Sequence, residues 1–384
     1  MISRAKNTPL SEWWWTVDKP LLFAVIALMI GGVVLSLAAS PQVAERLDLD
    51  LFHFVNRQVM FLIPASAVMF GVSLLNPRGI RRAALIAFAI FWPAMILALF
   101  IGPEIKGAHR WLQVGPFGVQ PSEFVKPSFI ILAAWLFAEG ARRDDIPGHA
   151  MAIFLFGLVV GVLVLQPDFG QTMLIGSVWG ALFFLAGLRW LWMGGLAGAG
   201  IAGIFLAYQV VPHVRGRIAK FLDPGGTENF QVERAFESFV SGGWLGKGPG
   251  EGTVKRILPD AHTDFIFAVT GEEFGIVFCL LLLGLFAFVV LRGLWHAMNE
   301  EDAFARLAIA GLTMLFGLQS AINMAVNVQL MPAKGMTLPF ISYGGSSLIS
   351  LAFGMGALIA LTRRRPRAKL EAGGNPLPAI GQFG

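Results

Sequence analysis

The chain has 384 residues, 56% of them hydrophobic and only 14% charged, against roughly 25% charged in an average soluble domain. Its mean hydropathy is +0.68, and its net charge of +5 is scattered among apolar stretches rather than gathered on one block. This composition excludes a soluble domain, argues against a nucleic-acid partner, and indicates an all-α, polytopic integral membrane protein.

In chain order, residues 1–20 form a polar tail ending in "EWWWTVDKP", whose three tryptophans suit an interfacial belt. No cleavable signal peptide is evident in it. Apolar spans follow at 21–40, 57–75, 83–101, 126–139, 150–166, 172–187, 190–209, 264–291, 304–331 and 339–362, about ten crossings at roughly 17–25 residues each. The intervening segments "NPRGIRR" (76–82) and "EGARRDD" (139–145), Arg292 and the tail "TRRRPRAK" (362–369) carry the basic excess of the inner face. Both termini are therefore expected in the cytoplasm. The domain plan is a tail over 1–20, a transmembrane domain over 21–365, and a Pro- and Gly-rich tail over 366–384 expected to be disordered.

Residues 210–263 make an outer connection far longer than an ordinary loop, and such loops are usually functional. Within it "FQVERAFESFVSGGW" places Val232, Phe236, Phe239 and Val240 on one helical face, which predicts an amphipathic helix on the membrane surface. The glycines of "GGWLGKGPGEG" predict a hinge or a close backbone approach.

Polar groups capable of chemistry gather on the outer side. "KGAHRWLQVGPFGVQPSEFVKPS" (106–128) carries Lys106, His109, Arg110, Trp111, Glu123 and Lys126, and "LQPDFGQT" (165–172) carries Asp168. The long loop adds Arg215, Arg217, Lys220, Asp260, His262 and Asp264, and "MPAKGMTLPFISYGGSS" (331–347) adds Lys334 in a segment broken by prolines and glycines. A broken segment at membrane depth requires burial in protein or a cavity to line.

Each has a plainer reading. Glu123 and Lys126 suit a helix-surface pair, and Asp168 suits a cap as well as a functional role. His109 and His262 are not spaced as zinc ligands, and Cys279 is the only cysteine, inside a span. Glu272 and Glu273 lie within an apolar span, where one of them is expected to pair with a basic residue across the bundle. Asp264 begins a span, and capping by Thr263 or His262 would serve the helix equally. A partly desolvated carboxylate facing cations is what general-base catalysis on a sugar hydroxyl requires, with the cations stabilising a pyrophosphate leaving group.

Together "HTDFIFAVTGEEFG", "LPFISYGGSS", "QPDFGQ" and "HRWLQVG" with "QPSEF" resemble the SEDS family (shape, elongation, division and sporulation) over about residues 12–365. "KGMTLP" with Lys334 resembles the division branch more than the elongation branch. Asp260 stands where the division pattern has glutamate, and Phe274 and Phe340 stand where leucine is usual.

The resemblance implies a peptidoglycan glycosyltransferase of the bacterial inner membrane that polymerises lipid II during septal wall synthesis, with Asp264 as the catalytic base. It implies substrate contacts at Arg110, Lys126, Arg215 and Lys334, with Trp111, His262 and Glu123 beside them. It also implies a class B penicillin-binding protein and other division proteins as partners, in contact with membrane lipid. A divalent cation, Mg²⁺ or Mn²⁺, is left open by the sequence. A lipid II flippase and a non-catalytic division scaffold are the alternatives; a flippase would use Glu272, Glu273, Gln319, Asn323 and Asn327 as part of a polar path.

Overall fold

A computed structural model describes residues 8–105, 107–115, 117–143, 145–187, 227–332 and 335–363, with scattered positions between 194 and 216. Most of the expected span at 190–209, the loop up to 226 and the tail over 366–384 lie outside the described residues. Lys106, Arg215, Arg217, Lys220 and Lys334 also lie outside them.

The described residues form an all-α membrane fold with two small antiparallel hairpins. A short helix, α1 (Pro9–Thr16), precedes α2 (Lys19–Arg46), α3 (His53–Ser73) and α4 (Pro77–Ile101). The hairpins β1–β2 (Glu104–Ile105, Ala108–His109) and β3–β4 (Leu112–Val114, Phe117–Val119) lead into α5 (Pro121–Arg142), α6 (Gly148–Leu165) and α7 (Phe169–Leu185). After the segment outside description come α8 (Thr227–Gly242), α9 (Ile266–Met298), α10 (Ala303–Asn327) and α11 (Gly345–Leu361).

Seven of these helices are long and apolar enough to cross a membrane, α2 to α6, α9 and α10, while α7 and α11 are shorter apolar helices. Nine expected spans thus correspond to helices. The span expected at 126–139 is longer, filling 121–142, and that expected at 304–331 ends at Asn327.

The helix starts follow from local chemistry. Asp18 accepts from the Leu21 N–H at 2.9 Å, Asn76 from Gly79 at 2.7 Å and Asp302 from Ala305 at 2.9 Å. Each satisfies a donor that the first helical turn leaves open. In the apolar windows of α5 and α10, 67% and 61% of residues are buried, against 17% in α4 and 28% in α6. The first two therefore form the centre of the bundle, and α4 and α6 belong to its rim. At one end Asp18 ties α2 to α9: its carboxylate lies 2.8 Å from Arg292 Nη2 and 2.7 Å from His296 Nε2. Burial works to raise the Asp18 carboxyl, but hydrogen bonds from His296, Arg292 and the Leu21 N–H outweigh it and hold the group well below the usual carboxylate range.

Helix α9 is not the uninterrupted span that its hydropathy suggests. It breaks at Gly275 (φ 80°, ψ 175°), and the glycine-rich stretch after α8 fills the break. The N–H groups of Lys247 and Gly248 donate to the carbonyls of Glu272 and Glu273 at 2.9 and 3.0 Å. In return the N–H groups of Ile276 and Val277 donate to the carbonyls of Gly243 and Trp244 at 3.0 and 3.2 Å. An unpaired backbone group in hydrocarbon costs several kcal/mol, so the loop supplies what the broken helix lacks.

The approach requires glycine on both sides. A Cβ on Gly246 would lie 2.2 Å from the Glu273 carbonyl oxygen, and one on Gly275 would lie 2.3 Å from that of Trp244. The expected close backbone approach is therefore found, at a helix break.

Helix α8 departs from expectation in which face it buries. Val232, Ala235 and Ser238 are buried, and the Phe239 ring packs on α9 over Gly271, where a Cβ would meet the ring at 2.3 Å. Phe236 and Val240 are exposed at 45% and 68%, so the four apolar side chains do not share one buried face. The helix packs on the protein through the 232/235/239 stripe, because Gly271 opens a seat there for a ring.

Gly246→Ala is expected to lower the midpoint of thermal unfolding in detergent far more than Gly243→Ala. Both have positive φ (80° and 57°), but Gly243 has open space around it. The control should cost only the left-handed penalty of about 1–2 kcal/mol, whereas Gly246→Ala must also push the Glu273 backbone aside. Equal shifts would show that the loop does not seat in the break.

Candidate active site

Asp264 lies on a tight turn over 260–265 whose backbone groups are accounted for almost one by one. The N–H groups of Thr263, Asp264 and Phe265 all converge on the Asp260 carbonyl, at 3.0, 3.1 and 3.3 Å. Asp260 adopts φ 53°, a left-handed conformation that aspartate tolerates better than most residues. The three successive carbonyls from His262 to Asp264 accept from outside the turn: His262 from the Tyr343 N–H at 3.0 Å, Thr263 from Ser342 Oγ at 2.5 Å, and Asp264 from Asn323 and Asn327 Nδ2 at 2.9 and 3.0 Å. The cap position that would explain an aspartate at this helix start falls on Phe265, which makes no side-chain capping bond.

The donors come from the broken segment 335–344 and from α10. A Cβ on Gly32 of α2 would lie 2.1 Å from the Phe340 carbonyl oxygen, so the segment runs hard against α2 at that glycine. Phe340 itself is buried, at φ 63°. On its other side Asn323 Nδ2 also reaches the Met336 carbonyl at 2.6 Å, and Gln319 Nε2 reaches that of Thr337 at 3.1 Å. A Cβ at Gly335 would stand 3.8 Å from Asp264 Oδ2, so this segment passes beside the carboxylate, which is partly exposed.

His262 stacks near Phe54, with ring centroids 4.4 Å apart, and near Tyr343 at 5.7 Å. Burial lowers its pKa from 6.5 to about 4, so it is neutral at physiological pH.

A second polar cluster lies deeper. Lys126 Nζ donates to Glu123 Oε1 at 2.9 Å and to Gln319 Oε1 at 3.0 Å, and Gln171 Nε2 donates to the same Glu123 oxygen at 3.1 Å. The expected surface pair is instead buried, with side chains 2% and 6% exposed, because α5 is the central helix of the bundle. Glu123, Lys126, Gln319 and Ser350 form the polar end of a cavity otherwise lined by apolar residues including Leu315 and Phe316.

Gln171 joins this cluster to a third. Its N–H donates to Asp168 Oδ1 at 3.2 Å, the cap of α7, and Asp168 lies 3.3 Å from Arg110 Nη1. Arg110 further donates to the carbonyls of Gln166 and Pro167 at 3.0 and 2.7 Å. Burial pushes the Asp168 carboxyl up, against the pull of Arg110. Trp111 lies just before β3, its ring over Gly118.

Glu272 and Glu273, the intramembrane carboxylates, have structural partners. Glu273 pairs with Lys255, and Glu272 accepts the backbone N–H groups of Thr253, Val254 and Lys255 at 2.6, 2.8 and 3.0 Å. Asn323 and Asn327 are engaged with backbone at the Asp264 turn. The polar path that a flippase would use is thus made of groups engaged in holding loops to helices. What the sequence left unassigned was the clamp formed by Gln319, Asn323 and Asn327; its signal was their spacing of four on α10, which puts three amides on one helical face. No three His, Cys, Asp or Glu side chains come together as metal ligands among the described residues.

Lys126→Met is expected to cost about 3–5 kcal/mol, since it leaves the Glu123 carboxylate buried without its counter-charge. Glu123→Gln combined with Lys126→Met should recover much of that loss in thermal unfolding; no recovery would mean that the pair is not coupled.

Unfolded chains bind a proton on His262 between pH 6.5 and about 4 that the folded chain does not. Stability from this group is complete above 6.5 and falls as pH drops through that window. His262→Gln should flatten the pH dependence of the unfolding midpoint there; an unchanged slope would place the imidazole in water.

Residues 19–366 match the model of the FtsW/RodA/SpoVE family, described as cell cycle proteins. The chain is 47% identical over 367 residues to a "Probable peptidoglycan glycosyltransferase FtsW" of Caulobacter vibrioides, covering 95% of this chain and 94% of that one. It is 34% identical over 357 residues to a protein of the same description from Geobacter metallireducens, covering 90% and 95%. Among solved structures it is similar to a chain in "Structural coordination of polymerization and crosslinking by a peptidoglycan synthase complex", with a TM-score of 0.76, 27% identity and 91% and 98% coverage. It is likewise similar to the rod shape determining protein RodA of Thermus thermophilus, with a TM-score of 0.67, 28% identity and 92% and 99% coverage. With the motif resemblance and the helical membrane architecture both borne out, the chain belongs to the FtsW/RodA/SpoVE family of cell cycle proteins.

Proposed function

We propose that the chain is a peptidoglycan glycosyltransferase that polymerises lipid II into glycan strands during septal wall synthesis. The observation that carries this reading is the turn over 260–265: three successive carbonyls are clamped from outside, and they hold a partly exposed Asp264 carboxylate beside the segment that begins at Gly335. A carboxylate held in place and open to one side suits a general base.

Asp264 takes the proton of the acceptor GlcNAc 4-hydroxyl as that oxygen attacks the anomeric carbon of the donor MurNAc. The bond from that carbon to the pyrophosphate oxygen breaks, configuration inverts, and undecaprenyl pyrophosphate leaves with the electron pair. One carboxylate suffices because pyrophosphate leaves without the protonation that a sugar alkoxide needs. Cations stabilise the charge that develops on it. Arg110 contributes from its partly exposed position, with Arg215 and Lys334 drawn from the resemblance, while Lys126, buried against Glu123 and Gln319, acts at a distance through its charge. His262, Trp111 and Glu123 complete the surroundings.

The chain works in the bacterial inner membrane at the division septum, with both termini cytoplasmic and the 210–263 loop outside. A class B penicillin-binding protein supplies the crosslinking activity; the likeness to a chain of a peptidoglycan synthase complex supports that pairing.

Asp264→Asn should reduce polymerisation of lipid II by about 10²–10⁴-fold while leaving the unfolding midpoint nearly unchanged, because the amide keeps the size and cannot take up the proton. Near-normal strand synthesis by this variant would sink the assignment.

A further inference from the structure

We infer that Asn327 is a positioning residue for Asp264, acting by replacing a helical hydrogen bond with its own side-chain amide. The inference rests on Asp264 being the base. Asn327 Nδ2 donates to the Asp264 carbonyl at 3.0 Å, and its Oδ1 accepts from the Ala268 N–H at 3.0 Å. Those two backbone groups are four residues apart, and they would bond to each other if α9 began one residue earlier. The amide therefore stands in the gap as a peptide would, donating on one side and accepting on the other. The Ala268 N–H is shared between Asn327 Oδ1 and the Phe265 carbonyl at 3.1 Å, a tighter contact of three residues.

The consequence falls on the carboxylate. With the 264–268 bond absent, Asp264 is outside the helix, and its side chain departs from the turn rather than from the cap position. Asn323, one turn before Asn327 on the same face, adds a second donor to the Asp264 carbonyl at 2.9 Å and bonds the Met336 carbonyl at 2.6 Å. Asn327 Nδ2 also holds the Asn323 carbonyl at 2.9 Å. Asn327 is fully buried, so it fixes the base without lying where substrate could reach it. An alanine at 327 removes both halves of this bridge and leaves the Asp264 carbonyl to Asn323 alone and the Ala268 N–H to Phe265 alone, so the two groups can close the helical bond, which makes Asp264 the cap of α9 and turns its carboxylate toward the first helical turn.

The test is steady-state polymerisation of lipid II by Asn327→Ala, Asp264→Asn and the double variant in the purified, detergent-solubilised full chain with its partner present. Asn327→Ala is expected to lower kcat by about 10²-fold, the loss that a misplacement of about 1 Å produces, with KM unchanged. In the Asp264→Asn background the same substitution is expected to cost nothing further, because it acts only through the carboxylate. A wild-type kcat, a loss confined to KM, or an equal loss in both backgrounds overturns the inference. If Asp264→Asn itself polymerises normally, it is the assignment of the base that fails, whatever Asn327→Ala does. Asn327→Asp, which keeps the size and the acceptor but not the donor, serves if the alanine variant does not fold; a wild-type kcat there overturns the inference as well.

Discussion

Backbone polar groups at a break in a membrane helix have no water to turn to, and this constraint organises the functional half of the molecule. Gly275 opens α9 in the middle of an apolar stretch, which leaves donors and acceptors that must be met within the protein. The stretch after α8 meets them in both directions, through Lys247 and Gly248 on one side and Gly243 and Trp244 on the other. Because the fit demands glycines at 246 and 275, the loop has one way to sit. Its continuation is thereby fixed as well: Glu272 gathers the N–H groups of Thr253 to Lys255, and Lys255 reaches Glu273 and the Ala38 carbonyl. By the time the chain turns at Asp260 it has been tied to α9 and α2, and the placement of Asp264 inherits that rigidity.

A second broken stretch, 335–344, is governed by the same requirement and meets α10 rather than a loop. The side-chain amides of Gln319 and Asn323 take its carbonyls at Thr337 and Met336, and Ser342 and Tyr343 donate to the Asp264 turn. Two irregular segments, each unable to stand alone in hydrocarbon, therefore support one another through α10. Gln319 also accepts from Lys126, so the stripe runs from the buried Glu123 pair to the turn that carries Asp264. Irregular backbone is concentrated around the Asp264 turn, where a rigid frame holds the carboxylate in place.

Much of this was legible in the residues themselves. Nine of the ten expected spans correspond to described helices, and the family followed from four motifs in order. The break at Gly275 was not legible, because hydropathy sees only the apolar average of 264–291 and a single glycine does not lower it. The glycines of 242–252 announced a close approach without naming what approaches. Glu123 and Lys126 read as a surface pair because a spacing of three is the same on any face of a helix; only the central position of α5 makes it a buried one. The residues at 319, 323 and 327 showed a common face, but amides serve equally as a path for polar cargo and as caps for backbone. Their partners, distant in sequence, decide between the two.

The choice of amides for that stripe has a physical reason. A charged side chain could donate to the carbonyls of Asp264, Met336 and Thr337, but burying it would carry a desolvation cost that hydrogen bonds to neutral carbonyls do not offset. Neutral amides satisfy the backbone while leaving the charge balance of the site to groups at its edge. Among the buried charges of the described residues, Lys126 pairs with Glu123 and Lys255 with Glu273, and Gln319 stands between Lys126 and the broken segment at Thr337. Such an arrangement fixes the orientation of Asp264 through its backbone while leaving its carboxylate partly exposed beside the segment at Gly335.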